Sequence, residues 1–409
     1  MPDSDLTARA AELDRADPLA SYRQLFVGVD DPDVVAYLDG NSLGRPLKAS
    51  AAEVSDFVSH TWGSRLIRAW DEQWFDLPLA IGDRLAAAAL GAAGGQTVVG
   101  DSTTVLLYKL VRAGLALRPG RTEIVVDRDN FPTDRYVLEG VAAELGLTLR
   151  WIESDPCGGV TPEEVRAVVG PRTALVVLSH VAYRSGYLLD APAVTEAVHE
   201  SGALLLLDLC HSVGSVPVDL DAWGVDLAVG CTYKYLNGGP GSPAFAYVRA
   251  EYLPDFAQPI WGWMGSARAF EMGQGYVPAD GIRRVISGTP VVSAMIAMQG
   301  TIALIEEVGM TAIRAKSVAL TEFALRLVDA WLTPYGVEVS SPTDAERRGG
   351  HVTIDHPAFK GMAERLWERG VIPDFRRPQG LRLGLSPLST SFTEVLTGVA
   401  AIRDELARA

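Results

Sequence analysis

Ala203-Leu-Leu-Leu-Leu-Asp-Leu-Cys-His211 sets four leucines in a row and ends them on a carboxylate. A strand that is apolar at every position has no face to give to water, so it belongs in a parallel sheet covered on both sides. The aspartate at its end must be capped, paired or functional, because a bare buried carboxylate is costly. Similar short runs, rich in β-branched residues, lie on either side: Thr97–Gly100, Thr122–Val126, Thr173–Leu178 and Asp226–Val229. Helical patterns over roughly 103–117, 132–145, 161–168 and 191–200 alternate with them, the last opened by Asp190 as a possible N-cap and Pro192 in its first turn. This alternation predicts an α/β domain with a mainly parallel sheet between helices.

The texture changes after Ser287-Gly-Thr-Pro290. A long helical stretch over about 291–333, broken near Gly309, leads into short strands around Val337–Val339, Val352–Ile354 and Leu381–Leu385, with helices near 358–370 and 391–407. That reads as a smaller α+β domain. The expected division is a segment 1–50 that packs on the small domain or on a partner, a large domain 51–290 and a small domain 291–409.

The chain of 409 residues is long enough for two domains, and its 48% hydrophobic and 21% charged residues fit a globular protein with a substantial core. A net charge of −15 argues against nucleic acid or an anionic membrane as partner, since both reward basic patches. Cys157, Cys210 and Cys231 form no CxxC, which argues against a zinc ribbon or a disulfide framework, and no metal site is expected. No apolar run approaches the roughly 20 residues of a membrane helix. The opening MPDSDLTARAAELDRADP is polar and acidic without an apolar h-region, so the expected location is cytoplasmic.

In an open α/β sheet, ligands gather outside the C-terminal ends of the strands. Gly100-Asp-Ser-Thr-Thr104 joins a strand to a helix there; its hydroxyls and free N–H groups suit a phosphate, or Ser102 or Thr103 simply caps the helix. Asp127-Arg-Asp-Asn-Phe-Pro-Thr-Asp134 offers Phe131 as a ring to lie against an aromatic ligand and Asp134 as a second carboxylate, or it is a polar loop with Pro132 opening a helix. Asp208, with His211 nearby, suits a pyridinium N–H, or it caps a helix beside a solvated histidine.

Cys231-Thr-Tyr-Lys-Tyr-Leu-Asn-Gly-Gly-Pro-Gly-Ser-Pro243 follows the next strand. Desolvation beside two tyrosines favours the unprotonated amine that a Schiff base requires, and this makes Lys234 a candidate nucleophile. The alternative is a lysine whose stem packs while its head reaches water. The glycines after it point to backbone passing close to something bulky. Phosphate cradle, stacking ring, carboxylate and lysine occur in the chain order of a pyridoxal-phosphate enzyme of the aspartate-aminotransferase fold type.

Longer motifs carry a closer resemblance. Tyr37-Leu-Asp-Gly-Asn-Ser-Leu-Gly44, Gly100–Thr104, Asp129–Asp134, Ser179-His-Val-Ala-Tyr-Arg-Ser-Gly186, Asp208-Leu-Cys-His-Ser-Val-Gly214, Cys231–Gly241 and Leu381-Arg-Leu-Gly-Leu-Ser-Pro387 are similar to those of the kynureninases, from about residue 20 to the C-terminus. The resemblance implies fold type I with a sheet of seven-stranded type and pyridoxal 5′-phosphate as cofactor. It implies that Lys234 forms the Schiff base and that Asp208 pairs with the pyridine nitrogen, supported by Asp134 and His211. It further implies that Phe131 stacks on the ring, that Thr103, Thr104 and Tyr233 bind phosphate, and that Trp263 and Thr289 reach a phosphate across a homodimer interface. Arg382 would take the substrate α-carboxylate with Asn41 and Ser42 nearby, and Tyr233 is a candidate acid–base group. The implied reaction is hydrolytic cleavage of L-kynurenine, or a ring-substituted kynurenine such as 3-hydroxykynurenine, to an anthranilate and L-alanine.

The chain departs from that pattern at Met264 and Ser266, where the family more often has phenylalanine and histidine, and at Gly288-Thr289, where some members have an asparagine. These positions neighbour the substrate's aryl ring by analogy, so ring preference is open. Trp62-Gly-Ser-Arg-Leu-Ile-Arg-Ala-Trp70 either lines that ring's pocket or packs under an N-terminal loop. Two other readings stand beside this one. A cysteine desulfurase, C–S lyase or epimerase of the same group would need a loop cysteine such as Cys157 if it carried persulfide. A non-enzymatic regulator would have lost Lys234 or Asp208, and would carry a winged helix or basic patch.

Overall fold

The computed structural model describes residues 3–408. The first strand, β1 (Ala36–Leu38), joins a small sheet; the next seven build a large one. These are β2 (Thr97–Gly100), β3 (Glu123–Asp127), β4 (Thr148–Ile152), β5 (Thr173–Ser179), β6 (Leu204–Asp208), β7 (Leu227–Gly230) and β8 (Ala244–Val248), in the spatial order β2-β8-β7-β6-β5-β3-β4. All neighbours are parallel except β8, which runs antiparallel to both β2 and β7. The predicted α/β class and its five strands are therefore present, with ends shifted by a residue or so.

The leucine run shows why the sheet is buried on both sides. Leu205 and Leu207 point into one hydrophobic cluster, and Leu204 and Leu206 into another across the sheet. Val176 and Leu178 of β5 alternate with Leu175 and Val177 in the same way. Period-two alternation between two apolar layers is what a continuous run of leucine and valine encodes. Strands β4 and β8 were not expected. β4 is an edge strand that starts exposed, so its apolar signal is diluted. β8, Ala-Phe-Ala-Tyr-Val, is only five residues long and follows the Gly-Pro-Gly-Ser-Pro turn directly.

The small sheet adds β9 (Glu338–Val339), β10 (His351–Asp355), β11 (Val371–Arg376) and β12 (Gly380–Gly384), in the order β1-β11-β12-β10-β9. β1 pairs parallel with β11, so the N-terminal segment supplies an edge strand. Leu6 and Ala10 of the helix Asp3–Ala16 pack in the same cluster as Leu327 and Val399, which covers this sheet. Leu19, Phe26 and Leu47 pack with the large-sheet cluster instead, so the first fifty residues straddle both.

The long helical stretch is two helices, Val292–Val308 and Met310–Trp331, separated by Gly309 at φ +79° and bent by 91°. Met295, Met298, Ile302 and Ile313 still pack on the large-sheet core, whereas Leu320, Phe323 and Leu327 face the small one. We propose that the domain boundary lies within the helix Met310–Trp331, later than 290. Among the described residues, no single helix is long and apolar enough to cross a membrane.

Candidate active site

The chain steps from β3 to β4 towards one edge of the large sheet, and from β5 through β6 to β7 towards the other. Strand ends on either side of such a reversal open into a crevice. Asp208 closes β6, and Lys234 sits in the turn after β7. Lys234 is 7% exposed, with Nζ 3.2 Å from Nε2 of His211. The Phe131 ring centre is 5.9 Å from the same Nζ and the Tyr233 ring centre 5.7 Å. The turn is closed by Gly238 N–H donating to Thr232 O at 2.8 Å, and by left-handed backbone at Asn237, Gly239 and Gly241. The N-terminal segment crosses over it at Gly44, whose N–H donates to Tyr233 O at 2.8 Å. A Cβ on Gly44 would lie 2.3 Å from Lys234 O, so a side chain there would collide with the lysine's backbone.

Asp208 is buried, and its Oδ1 accepts from Cys210 N–H at 2.7 Å. Asp134, on the helix Pro132–Leu145, lies beside it. Burial first, and then the Asp208 charge, push the Asp134 carboxyl well above the usual carboxylate range. Its Oδ2 has no protein partner. His211 is held well below its ordinary value by burial, then by the charges of Lys234 and Arg382, so its imidazole is neutral. The pocket end nearest Asp208 thus has two carboxyl groups and neutral rings, which favours a ligand bearing a positive N–H.

A cavity of about 300 Å³ opens at the start of the helix Thr103–Ala116, lined by Ser102, Thr103, Tyr233, Ser242, Gly288 and Thr289, among others. Ser102 is the N-cap, its Oγ accepting from Val105 N–H at 3.4 Å, and it lines the cavity as well, beside Thr103. Thr104 is exposed and does not line the cavity. Thr289 lines it within its own chain, where the resemblance implied a reach across a dimer interface. Trp263 is elsewhere: it packs on Trp70 at 6.5 Å and Phe270 at 5.8 Å and lines a separate cavity of about 430 Å³ with Ser266. Of the Trp62–Trp70 segment, Trp70 packs edge-on against Trp74 at 5.4 Å, while Trp62 is exposed. The Tyr233 hydroxyl is pushed up by burial and then by the neighbouring Cys231 and Cys210 thiols, so it keeps its proton.

Arg382 projects from β12 and is 1% exposed. Its Nη2 donates to Ser42 Oγ at 2.9 Å and its Nη1 to Tyr183 O at 2.6 Å. Its Nε and Nη2 both hold Asp374 Oδ2, at 2.6 and 2.5 Å. Asn41 is fully buried with both amide atoms unpartnered, packed on Gly384. Asp374 and Arg376 escaped the sequence reading, although their spacing puts both on one face of β11. So did Asp39, whose carboxyl is pushed up to about 6 by burial and then by Asp374. His351 escaped too; its ring is 5.8 Å from that of His211, and both its nitrogens are buried without a partner. Among the described residues, no group of side chains is arranged to hold a metal ion.

The aminotransferase class-V description matches residues 86–367. A kynureninase of Pseudomonas fluorescens is 40% identical over 403 residues, covering 97% of this chain and 94% of that protein. One of Burkholderia pseudomallei (strain 1106a) is 41% identical over 404 residues, with the same coverage. This chain belongs to the kynureninase family. Solved structures share its fold at lower identity. The apo cysteine desulfurase of Thermococcus onnurineus NA1 superposes with a TM-score of 0.80 at 19% identity, covering 91% of this chain and 95% of that one. The cystine C–S lyase C-DES, solved with cysteine persulfide, gives 0.81 at 18%, covering 93% and 99%. Cys157 follows the edge strand β4, with β3, β5 and β6 between it and β7.

Proposed function

We propose that this chain cleaves the Cβ–Cγ bond of L-kynurenine or a ring-substituted kynurenine by hydrolysis, giving an anthranilate and L-alanine, with pyridoxal 5′-phosphate as cofactor. The observation that carries the reading is Lys234 and Asp208 at neighbouring strand ends in a chain 40% identical to kynureninases over nearly its whole length. The residues fit the cofactor. The buried, partnerless Oδ2 of Asp134 beside Asp208 suits a pyridinium N–H, and the hydroxyl-lined cavity at the start of a helix suits a phosphate.

Lys234 would hold the cofactor through Nζ, Asp208 and Asp134 its ring nitrogen, Phe131 its ring face, and Thr103, Tyr233 and Thr289 its phosphate. We keep Thr104 and Trp263 as ligands only if a second subunit completes the site. When bound, pyridoxal phosphate supplies an electron sink for the carbon losing its proton. Lys234 Nζ, once free, takes the substrate α-proton, and neutral His211 beside it leaves the amine without a competing charge. Tyr233, protonated and adjacent to the lysine, is the acid–base group at the γ-carbonyl where water adds. Arg382 and Ser42 orient the α-carboxylate, and Asn41 lies beside them. Asp208 would accept the ring nitrogen's N–H and so keep the sink effective.

A homodimer and a cytoplasmic location complete the proposal. Ile67, Trp261 and Met272 are 76%, 66% and 71% exposed, apolar side chains of the kind that a second copy would cover. The test is release of anthranilate and alanine from kynurenine, 3-hydroxykynurenine and a ring-methylated kynurenine, side by side with cysteine. Turnover of a kynurenine supports the reading; sulfide from cysteine with no anthranilate from any of them overturns it.

A further inference from the structure

Arg382 is expected to receive a carboxylate, yet its guanidinium is already engaged. Nε and one Nη2 hydrogen point to Asp374 Oδ2, the other Nη2 hydrogen to Ser42, and one Nη1 hydrogen to Tyr183 O. One N–H remains, and a fork-shaped carboxylate contact needs two. A ligand carboxylate therefore gains its fork on Arg382 only by displacing a present partner, and Asp374, which holds two of the four engaged N–H groups, is the one whose release opens the Nε edge. Releasing Asp374 unpaired would be unfavourable, because its side chain is 16% exposed. The structure supplies a second cation for it. Arg376 Nε lies 2.7 Å from the same Oδ2, and its side chain, 37% exposed, is free to follow.

We propose that Asp374 is a positioning residue handed from Arg382 to Arg376 when a ligand carboxylate docks, so that Arg376 sets carboxylate affinity without touching the ligand. This rests on the reading of Arg382 as the α-carboxylate site. In the free state, Asp374 holds the buried Arg382 in its rotamer and neutralises it. In the bound state, the ligand takes that role and Arg376 alone neutralises Asp374. Both arginines stay paired throughout, and no buried charge is left bare.

The test uses the pyridoxal-phosphate-loaded protein and two probes, L-alanine, which has an α-carboxylate, and ethylamine, which does not, with binding read by calorimetry. Arg376→Gln should weaken L-alanine about tenfold or more, leave ethylamine unchanged, and be partly rescued by Arg376→Lys. In an Asp374→Asn background, no charge needs a new partner, so adding Arg376→Gln should cost L-alanine affinity less than about twofold; this non-additivity is what a purely structural role for Arg376 would not produce. Equal L-alanine affinity in Arg376→Gln and the parent, or full additivity in the double variant, would overturn the hand-over while leaving Arg382's role standing. A parent protein that binds L-alanine no better than ethylamine would overturn the α-carboxylate reading and the hand-over with it.

Discussion

The two ends of the site are neutralised in opposite ways. At the end of β6, Asp208 and Asp134 crowd two carboxyl groups together with one oxygen partnerless, and the neighbouring His211 is neutral. At β11 and β12, Arg382 and Arg376 are balanced by Asp374, with Asp39 close by. The first end offers two carboxyl groups, one oxygen of them partnerless, that a ring N–H would satisfy on binding. The second is already balanced, and a carboxylate must exchange into it. A cofactor that stays and a substrate that leaves would call for these two arrangements respectively.

Substitutions separate the two ends by what they perturb. Asp208→Asn removes the carboxyl partner of the proposed ring nitrogen and should weaken cofactor affinity by about 3 kcal/mol, roughly a hundredfold. Titrating apo-protein with pyridoxal phosphate and following its absorbance measures this, and an unchanged affinity would mean that Asp208 does not hold the ring nitrogen. His351 comes next, between the two ends. Burial holds it at about 3, below its ordinary 6.5, so the folded chain binds fewer protons than the unfolded chain between those values. Its neutral form therefore favours folding above pH 6.5, and that contribution is lost as pH falls, by about 1.4 kcal/mol per unit. By about pH 5, His351→Gln should have lost about 2 kcal/mol less than the parent, measured by urea unfolding at both pH values. A parallel loss in both proteins would mean that His351 titrates normally. The smallest effect belongs to the balanced end. Ser42→Ala deletes one hydrogen bond to Arg382 and should raise KM about fivefold, some 1 kcal/mol, with kcat little changed.

The same contrast governs what the sequence made legible. The large sheet follows from runs such as Ala203–Asp208, because a strand buried on both faces has a local signature. Asp208, Lys234 and Phe131 could be singled out because strand ends in such a sheet are where ligands gather. The carboxylate end has no local signature. Ser42 and Arg382 are 340 residues apart, and Asp374 and Arg376 read as ordinary strand surface until β12 brings Arg382 alongside. His351 likewise gains its meaning from His211, which a different sheet supplies. Antiparallel β8 was hidden for another reason: it is five residues long, directly behind the Gly-Pro-Gly-Ser-Pro turn, and its pairing with β2 and β7 is set by tertiary structure.

The central claim is that Lys234 is the group through which a bound cofactor acts on a kynurenine. The direct measurement is anthranilate fluorescence on mixing L-kynurenine with pyridoxal-phosphate-loaded parent protein and with Lys234→Ala under the same conditions. The account predicts steady release by the parent and loss of turnover in Lys234→Ala, with the folded state of both checked by circular dichroism. Release by Lys234→Ala at the parent's rate, or none by a loaded and folded parent, would contradict it.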